Sequence, residues 1–179
     1  MDIAVYGGSF NPPHIGHALV ASWLHWTAQV ENVWLLPTYN HAFGKQMAPW
    51  DARVEWCQAL AASLGPAVSV CTVESELPTP SYSIDTLNAL AKQFPEHRFR
   101  LVIGSDNLLV LDKWKAWDEI AASYAPIVVG RAGYPSPFGV VVFPEISSTR
   151  IRAMLAAGDD ASPWVPAVVL DKIDGSVYR

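Results

Sequence analysis

The sequence predicts an α/β protein: a doubly wound, mostly parallel sheet with helices on both faces, formed as a single domain over 1–179. Two observations carry this expectation. Short apolar runs alternate along the chain with longer stretches of helical periodicity, which is the pattern of β-α-β units. The 179 residues are 51% apolar and 16% charged, so there is material for a core and too little charge for a disordered chain. A chain of this length usually makes one domain.

Taken in order, residues 3–6 read as the first strand, and a Gly/Pro-rich turn leads into a helix over about 16–29. Residues 33–36 form the next strand, and 37–49 is a long loop of the kind that often carries function. Pro49 opens a helix in which Val54, Cys57, Leu60, Ala61 and Leu64 recur at helical spacing. A strand over 68–73 ends before the Pro78-Thr79-Pro80 loop, and Ser83 is placed to cap a helix running to about 93, with Asp85 in its first turn. A buried strand, 101–103, stops at Gly104 and is followed by a Trp-rich helical region. Strands near 127–129 and 140–143 come next, and the last third is helical, broken by Gly158, Pro163 and Pro166. Ligands of such sheets bind beyond the carboxyl ends of the strands, which singles out 7–17, 37–47, 104–106 and 130–150.

Charge and cysteine content narrow the function classes. A formal net charge of −5 argues against a general nucleic-acid binder, which carries a basic excess or stripe. It leaves room for an anionic small molecule in a locally positive pocket. Cys57 and Cys71 supply neither a disulfide framework nor a zinc quartet and read as small core residues. The first residues lack the charged and apolar regions of a signal peptide, and no apolar run is long enough to span a bilayer. The expectation is a cytoplasmic protein with no membrane partner, free to form a homo-oligomer.

Three segments carry chemistry. Gly7-Gly8-Ser9-Phe10-Asn11-Pro12-Pro13-His14-Ile15-Gly16-His17 joins the first strand to the first helix. The glycines permit a tight turn whose amides can face a phosphate. His14 and His17, three apart at a helix start, project to one side and can each donate to oxygens where negative charge develops. A glycine pair alone is a common turn, and a lone His is more often structural; it is the combination that points to phosphoryl chemistry. The pair lacks a third metal ligand nearby, and the Gly-x-Gly-x-x-Gly fingerprint of dinucleotide oxidoreductases is missing. Ile146-Ser147-Ser148-Thr149-Arg150-Ile151-Arg152 opens a helix that ends near Gly158. Ser147 or Ser148 serves as N-cap, and hydroxyls, amides and arginines at a helix start also suit a polyphosphate. Arg150 and Arg152, two apart, cannot both face it. In the third segment, Gly104 permits close approach and Asp106 can either accept from ribose hydroxyls or cap the next helix. Arg131, just beyond the 127–129 strand, is a further candidate contact to phosphate or adenine.

Together these strings resemble the nucleotidyltransferase superfamily that carries His-x-Gly-His, and within it the nicotinate-nucleotide adenylyltransferases. The likeness covers nearly the whole chain, including a terminal helix over 165–179, and the Ile-Ser-Ser-Thr-x-Ile-Arg pattern is matched in full, with Arg150 on its variable position. It implies a Rossmann-like fold and AMP transfer from ATP to nicotinate mononucleotide, or to nicotinamide mononucleotide, in NAD biosynthesis. His14 and His17 would be catalytic. Gly8, Ser9, Phe10, Gly104, Asp106, Arg131, Ser147, Ser148, Thr149 and Arg152 would hold ATP. Trp114 would stack on the acceptor's pyridine ring, with Ser83 beside it in the Ser81-Tyr82-Ser83 segment, whereas Trp117 would be core. Mg²⁺ would be held mainly by ATP phosphates and water, with no protein metal site. The chain departs from the pattern in the loop after strand two, where His41 and Lys45 stand at altered spacing for the acceptor phosphate, and at Lys115, where some relatives carry an aromatic residue. Alternatives are another transferase of the superfamily, such as one using a pantetheine phosphate, or a non-catalytic nucleotide sensor.

Overall fold

The computed structural model describes residues 1–27, 29–40, 47–137 and 140–178. Six strands form one sheet: β1 (Asp2–Gly8), β2 (Asn32–Pro37), β3 (Val68–Val70), β4 (Arg98–Gly104), β5 (Ile127–Arg131) and β6 (Val142–Phe143). Their spatial order is β3-β2-β1-β4-β5-β6 and every pair is parallel. The chain therefore works outward from β1 to β3, then crosses back to lay β4 on the other edge of β1. Between β1 and β4 the winding reverses, and such a point is where open α/β sheets bind ligands.

Alternation along the strands feeds two cores. Ile3, Val5, Leu101 and Ile103 point to one face and pack under α3 (Ser83–Gln93) and α4 (Trp117–Tyr124), through Ile84, Leu87, Leu90 and Ile120. Ala4, Leu35, Val102 and Val129 point to the other face. They meet α1 (Ile15–Trp26), α2 (Trp50–Leu64), α5 (Ser148–Ala157) and α6 (Ala167–Leu170). The expected layering, helices on both faces of a parallel sheet, is the observed one. Among the described residues no helix is long and apolar enough to cross a membrane.

Several boundaries differ from the sequence reading. Tyr82, not Ser83, stands at the N-cap of α3, because its extended backbone (φ −107°, ψ 156°) makes Ser83 the first helical residue. Helix α1 stops at Trp26, where the Thr27 hydroxyl donates back to the Trp23 carbonyl at 2.6 Å and closes the last turn. Strand β3 ends at Val70, and Val73–Glu76 turns into a 3-10 helix. The Trp-rich region is a 3-10 stretch, Ser105–Lys113, followed by the separate α4. No single terminal helix covers 165–179: Pro166 caps the four-residue α6, and Gly175–Tyr178 forms a 3-10 turn. Cys57 is buried as expected, while Cys71 is only half-buried.

Strand β6 crosses β5 at Gly130, whose amide donates to the Val141 carbonyl at 2.8 Å. A Cβ on Gly130 would stand 2.8 Å from that carbonyl oxygen and 2.9 Å from the Val142 Cα, both backbone atoms with little freedom to yield. Gly130→Ala is therefore expected to cost about 1–3 kcal/mol, the usual range for overpacking. Urea denaturation of the two proteins reads this as a lower midpoint at an unchanged slope.

Candidate active site

The carboxyl ends of β1, β4 and β5 open into a cleft of about 630 Å³. Its walls include Gly8 and Ser9 after β1, Gly104 and Asp106 after β4, Arg131 at the end of β5, and Ser147, Ser148 and Thr149 at the start of α5. His14 and His17 lie at the mouth of α1 on the same cleft, and Ser83 and Trp114 complete it on the α3 side.

The two histidines are arranged by the helix start itself. His14, with an extended backbone, is the N-cap of α1, and His17 is the third helical residue. The His14 backbone N–H donates to His17 Nδ1 at 3.1 Å, so in the neutral ring the His17 proton sits on Nε2. The rings stack with centroids 3.8 Å apart. Gly16 makes the close packing possible, since a Cβ there would stand 3.1 Å from the His14 ring. Tyr6 and Phe10 back His17, with ring centroids 6.1 and 4.8 Å away. The key contact is longer in range. His14 Nε2 lies 3.1 Å from Ser148 Oγ, joining residues 134 apart and bringing both sequence motifs to one point. The other nitrogen of that ring, Nδ1, is buried without a hydrogen-bond partner.

At the α5 end, Ser147 caps the helix, its hydroxyl accepting from the Arg150 amide at 3.3 Å. The helix dipole adds partial positive charge beside the hydroxyls of Ser148 and Thr149. Across the cleft, Arg131 pairs with Asp106 at 2.9 Å, and Gly104 lies directly beneath that carboxylate. Burial, then the nearby Arg131 charge, lowers the His14 pKa to about 4. Burial, with His14 and Arg131 behind it, holds His17 well below the usual imidazole value. Both rings are neutral at pH 7, so each offers a donor or a lone pair rather than a fixed charge.

Not every residue singled out by sequence lies on the cleft wall. Phe10 has a left-handed backbone (φ 43°) and a ring that is 1% exposed, so its side chain belongs to the core behind the loop. Arg152 braces the two motifs instead of facing the cleft, donating to the Asn11 carbonyl and to Thr149 Oγ1, each at 3.0 Å. Arg150 projects elsewhere, over the Trp164 ring, so the two arginines diverge as their spacing requires. Trp117 packs edge-on behind Trp114, with centroids 5.8 Å apart, while Trp114 lines the cleft. Lys115 turns away to Asp85 at 2.8 Å. His41 and Lys45 lie outside the described residues. Among the described residues no group of three His, Cys, Asp or Glu side chains could hold a metal.

Sequence reasoning missed Arg53 and Glu74, both nearly buried, and Asn11, whose side chain accepts from the Ala48 amide and from the Tyr178 hydroxyl. Glu74 also lines the cleft, with Thr38, Asn40, Ser81 and Thr86. One signal was available: Arg53 precedes Cys57 by four and Leu60 by seven, on the apolar stripe of α2, where a charge must find partners.

Residues 5–154 match the cytidylyltransferase-like family. A probable nicotinate-nucleotide adenylyltransferase of Anaeromyxobacter sp. (strain K) is 46% identical, over 99% of this chain and 97% of its own. Another, of Bacteroides fragilis (strain YCH46), is 37% identical over 94% and 89%. Among solved structures, a Plasmodium falciparum nicotinic acid mononucleotide adenylyltransferase complexed with NaAD is similar with a TM-score of 0.80 at 17% identity, covering 96% of this chain and 94% of that one. At that identity the likeness bears on the fold alone.

The depressed histidines set a pH dependence. Between about 6.5 and about 4 the unfolded chain binds a proton that folded His14 does not, and His17, held well below the usual imidazole value, acts in the same sense, so stability is lost as pH falls below about 6.5. The melting temperature should decline from pH 7 to pH 5. His14→Gln/His17→Gln should show a shallower decline, read by scanning calorimetry at each pH.

Proposed function

The chain belongs to the cytidylyltransferase-like family, among its nicotinate-nucleotide adenylyltransferases, and from that premise we propose how it joins AMP from ATP to nicotinate mononucleotide, giving the dinucleotide and pyrophosphate. The observation that carries the reading is the 3.1 Å contact between His14 and Ser148, which brings two helix starts to one point of the cleft.

The acceptor's phosphate is already anionic at neutral pH, so no general base is required. One of its oxygens attacks the α-phosphorus in line; the bond from that phosphorus to the β-phosphate oxygen breaks, and pyrophosphate leaves with the electron pair. Catalysis is then positioning and charge stabilisation. His17, its proton held on Nε2, donates to a non-bridging α-oxygen, and His14 does so from the ring edge shared with Ser148. Incoming phosphate charge raises both histidine pKa values from their depressed state and strengthens these donors. Ser147, Ser148 and Thr149, with the α5 dipole behind them, receive the β- and γ-phosphates. Gly8 and Ser9 bring backbone close to the triphosphate. Arg131 and Asp106 serve the adenosine side, Arg152 locks the two phosphate loops together, and Phe10 supports His17. For the acceptor we assign Trp114 to ring stacking, Ser83 to the ring's edge, and His41 and Lys45 to its phosphate.

Mg²⁺ would be held by ATP and water and would supply positive charge against that of the phosphates. The donor set fits an ion carried in by ATP: the cleft offers hydroxyls and amides, and its Asp106 is already engaged by Arg131. We further take residues 1–179 as a single nucleotidyltransferase domain working in the cytoplasm, without nucleic-acid or membrane partners, and open to homo-oligomer formation.

Pyrophosphate release from ATP and Mg²⁺ should be strong with nicotinate mononucleotide and weaker with nicotinamide mononucleotide or phosphopantetheine. Release with only phosphopantetheine would keep the mechanism and replace the acceptor. ATP binding with silence for all three would turn the protein into a nucleotide sensor. His17→Ala should lower kcat by about 100-fold or more, the usual loss for one transition-state donor. Undiminished turnover in that variant would remove His17 from the mechanism.

A further inference from the structure

A guanidinium that is 1% exposed must spend its donors on protein acceptors. Arg53, on the inner face of α2, gives Nε to the Ala48 carbonyl at 3.0 Å. Its Nη1 reaches the Ser9 carbonyl at 3.0 Å and the Thr38 carbonyl at 2.8 Å. Glu74, 8% exposed in the 3-10 turn after β3, accepts through Oε2 from the Tyr39 amide at 3.0 Å. The Thr38 carbonyl and the Tyr39 amide are the two ends of one peptide group. That planar unit is therefore gripped by a cation at its oxygen and by an anion at its N–H, the sense that matches its own dipole. A third hold comes from the Thr38 amide, which donates to the Gly8 carbonyl at 2.9 Å.

The location of this grip gives it a purpose. The peptide lies just past the carboxyl end of β2, and Thr38, Asn40 and Glu74 all line the cleft. The hydroxyls of Ser81 and Thr86, from the segment that opens α3, face the same carboxylate. These are neighbours of Ser83, on the side away from the α5 phosphate loop. A fold needing only a filled core here would be served as well by apolar side chains, since buried charges are costly unless fully partnered.

We propose that Arg53 and Glu74 form a clamp on the Thr38–Tyr39 peptide that orients the acceptor-side wall, with Glu74 a positioning residue for the acceptor and not for ATP. The inference rests on the adenylyltransferase reading above. Because the Arg53 guanidinium also holds Ser9 beside the phosphate loop, its own loss reaches both substrates.

Steady-state kinetics on the full chain separate these effects. Glu74→Ala leaves the Tyr39 amide unpaired and should raise KM for nicotinate mononucleotide about tenfold or more, the scale of one unsatisfied buried group, with KM for ATP changed less than about twofold. Glu74→Gln keeps an oxygen at the same reach and should return the acceptor KM to within about threefold of the unaltered protein. Arg53→Lys keeps the charge but loses the fork, and should raise both constants. Equal changes in the two constants for Glu74→Ala, or no change beyond a lower melting temperature, would overturn the clamp. So would Glu74→Gln proving as damaging as Glu74→Ala, which would make the charge itself a substrate contact, or Arg53→Lys leaving both constants unaltered. If Glu74→Ala does not fold, Glu74→Asp replaces it with the same thresholds, since one methylene less withdraws the carboxylate from the amide. An unaltered protein that is silent with nicotinate mononucleotide is a failure of the adenylyltransferase reading, visible before any variant is compared, and it removes this inference too.

Discussion

Strand β1 pairs on both edges, with β2 and with β4, and sends apolar side chains into both cores. Nothing else in the sheet has that double duty so near the first motif. Its register against β2 sets Gly8 level with Pro37, so the loops leaving the two strands emerge side by side. The same strand fixes how far Gly8 lies from the end of β4, because the two run parallel from Asp2 and Arg98. The cleft is the gap left when neighbouring strands end together and their connections depart to opposite faces. Each side chain in it inherits its place from that arrangement.

Within the cleft the electrostatics are those of a site prepared for anions without storing excess positive charge. A buried imidazole, His14, and a half-buried one, His17, are kept neutral, and the Arg131 charge is partly answered by Asp106. A permanently cationic pair would bind phosphate tightly in every state, products included. Neutral donors whose affinity for protons rises as phosphate charge arrives respond to the ligand and relax when it departs. The stacked rings, 3.8 Å between centroids, add mutual repulsion if both become charged, which favours one proton shared over the pair.

The features legible in the sequence were local in origin. Gly-Gly-Ser-Phe, the two histidines and the Ser-Ser-Thr helix start announce themselves within a few residues, and a parallel sheet follows from strand-helix alternation alone. What escaped depended on partners far along the chain. Arg53 stands on the apolar stripe of its helix, which says that it needs partners, but not that these are the carbonyls of Ser9, Thr38 and Ala48. Glu74 follows a strand that ends three residues sooner than its apolar run suggests, because the chain turns at Thr72, whose carbonyl accepts from the Ser75 amide at 3.0 Å. The segment 165–179 failed as a helix for a local reason that the sequence did contain. Pro166 starts a helix of only four residues, and Gly175 opens a separate 3-10 turn. Arg152, matched to a family pattern, also braces two loops through the Asn11 carbonyl and Thr149 Oγ1, a contact that the motif alone does not announce.

One late contact bears on how the protein is made. The Asn11 carboxamide oxygen accepts from the Tyr178 hydroxyl at 3.1 Å, 167 positions along the chain. On a ribosome these groups appear roughly ten to thirty seconds apart, at about 5–20 residues per second. The loop that carries Asn11 therefore waits that long for this partner. Until Tyr178 clears the exit tunnel, the nascent protein has a sheet taking shape around a loop whose final hydrogen bond has not yet been translated.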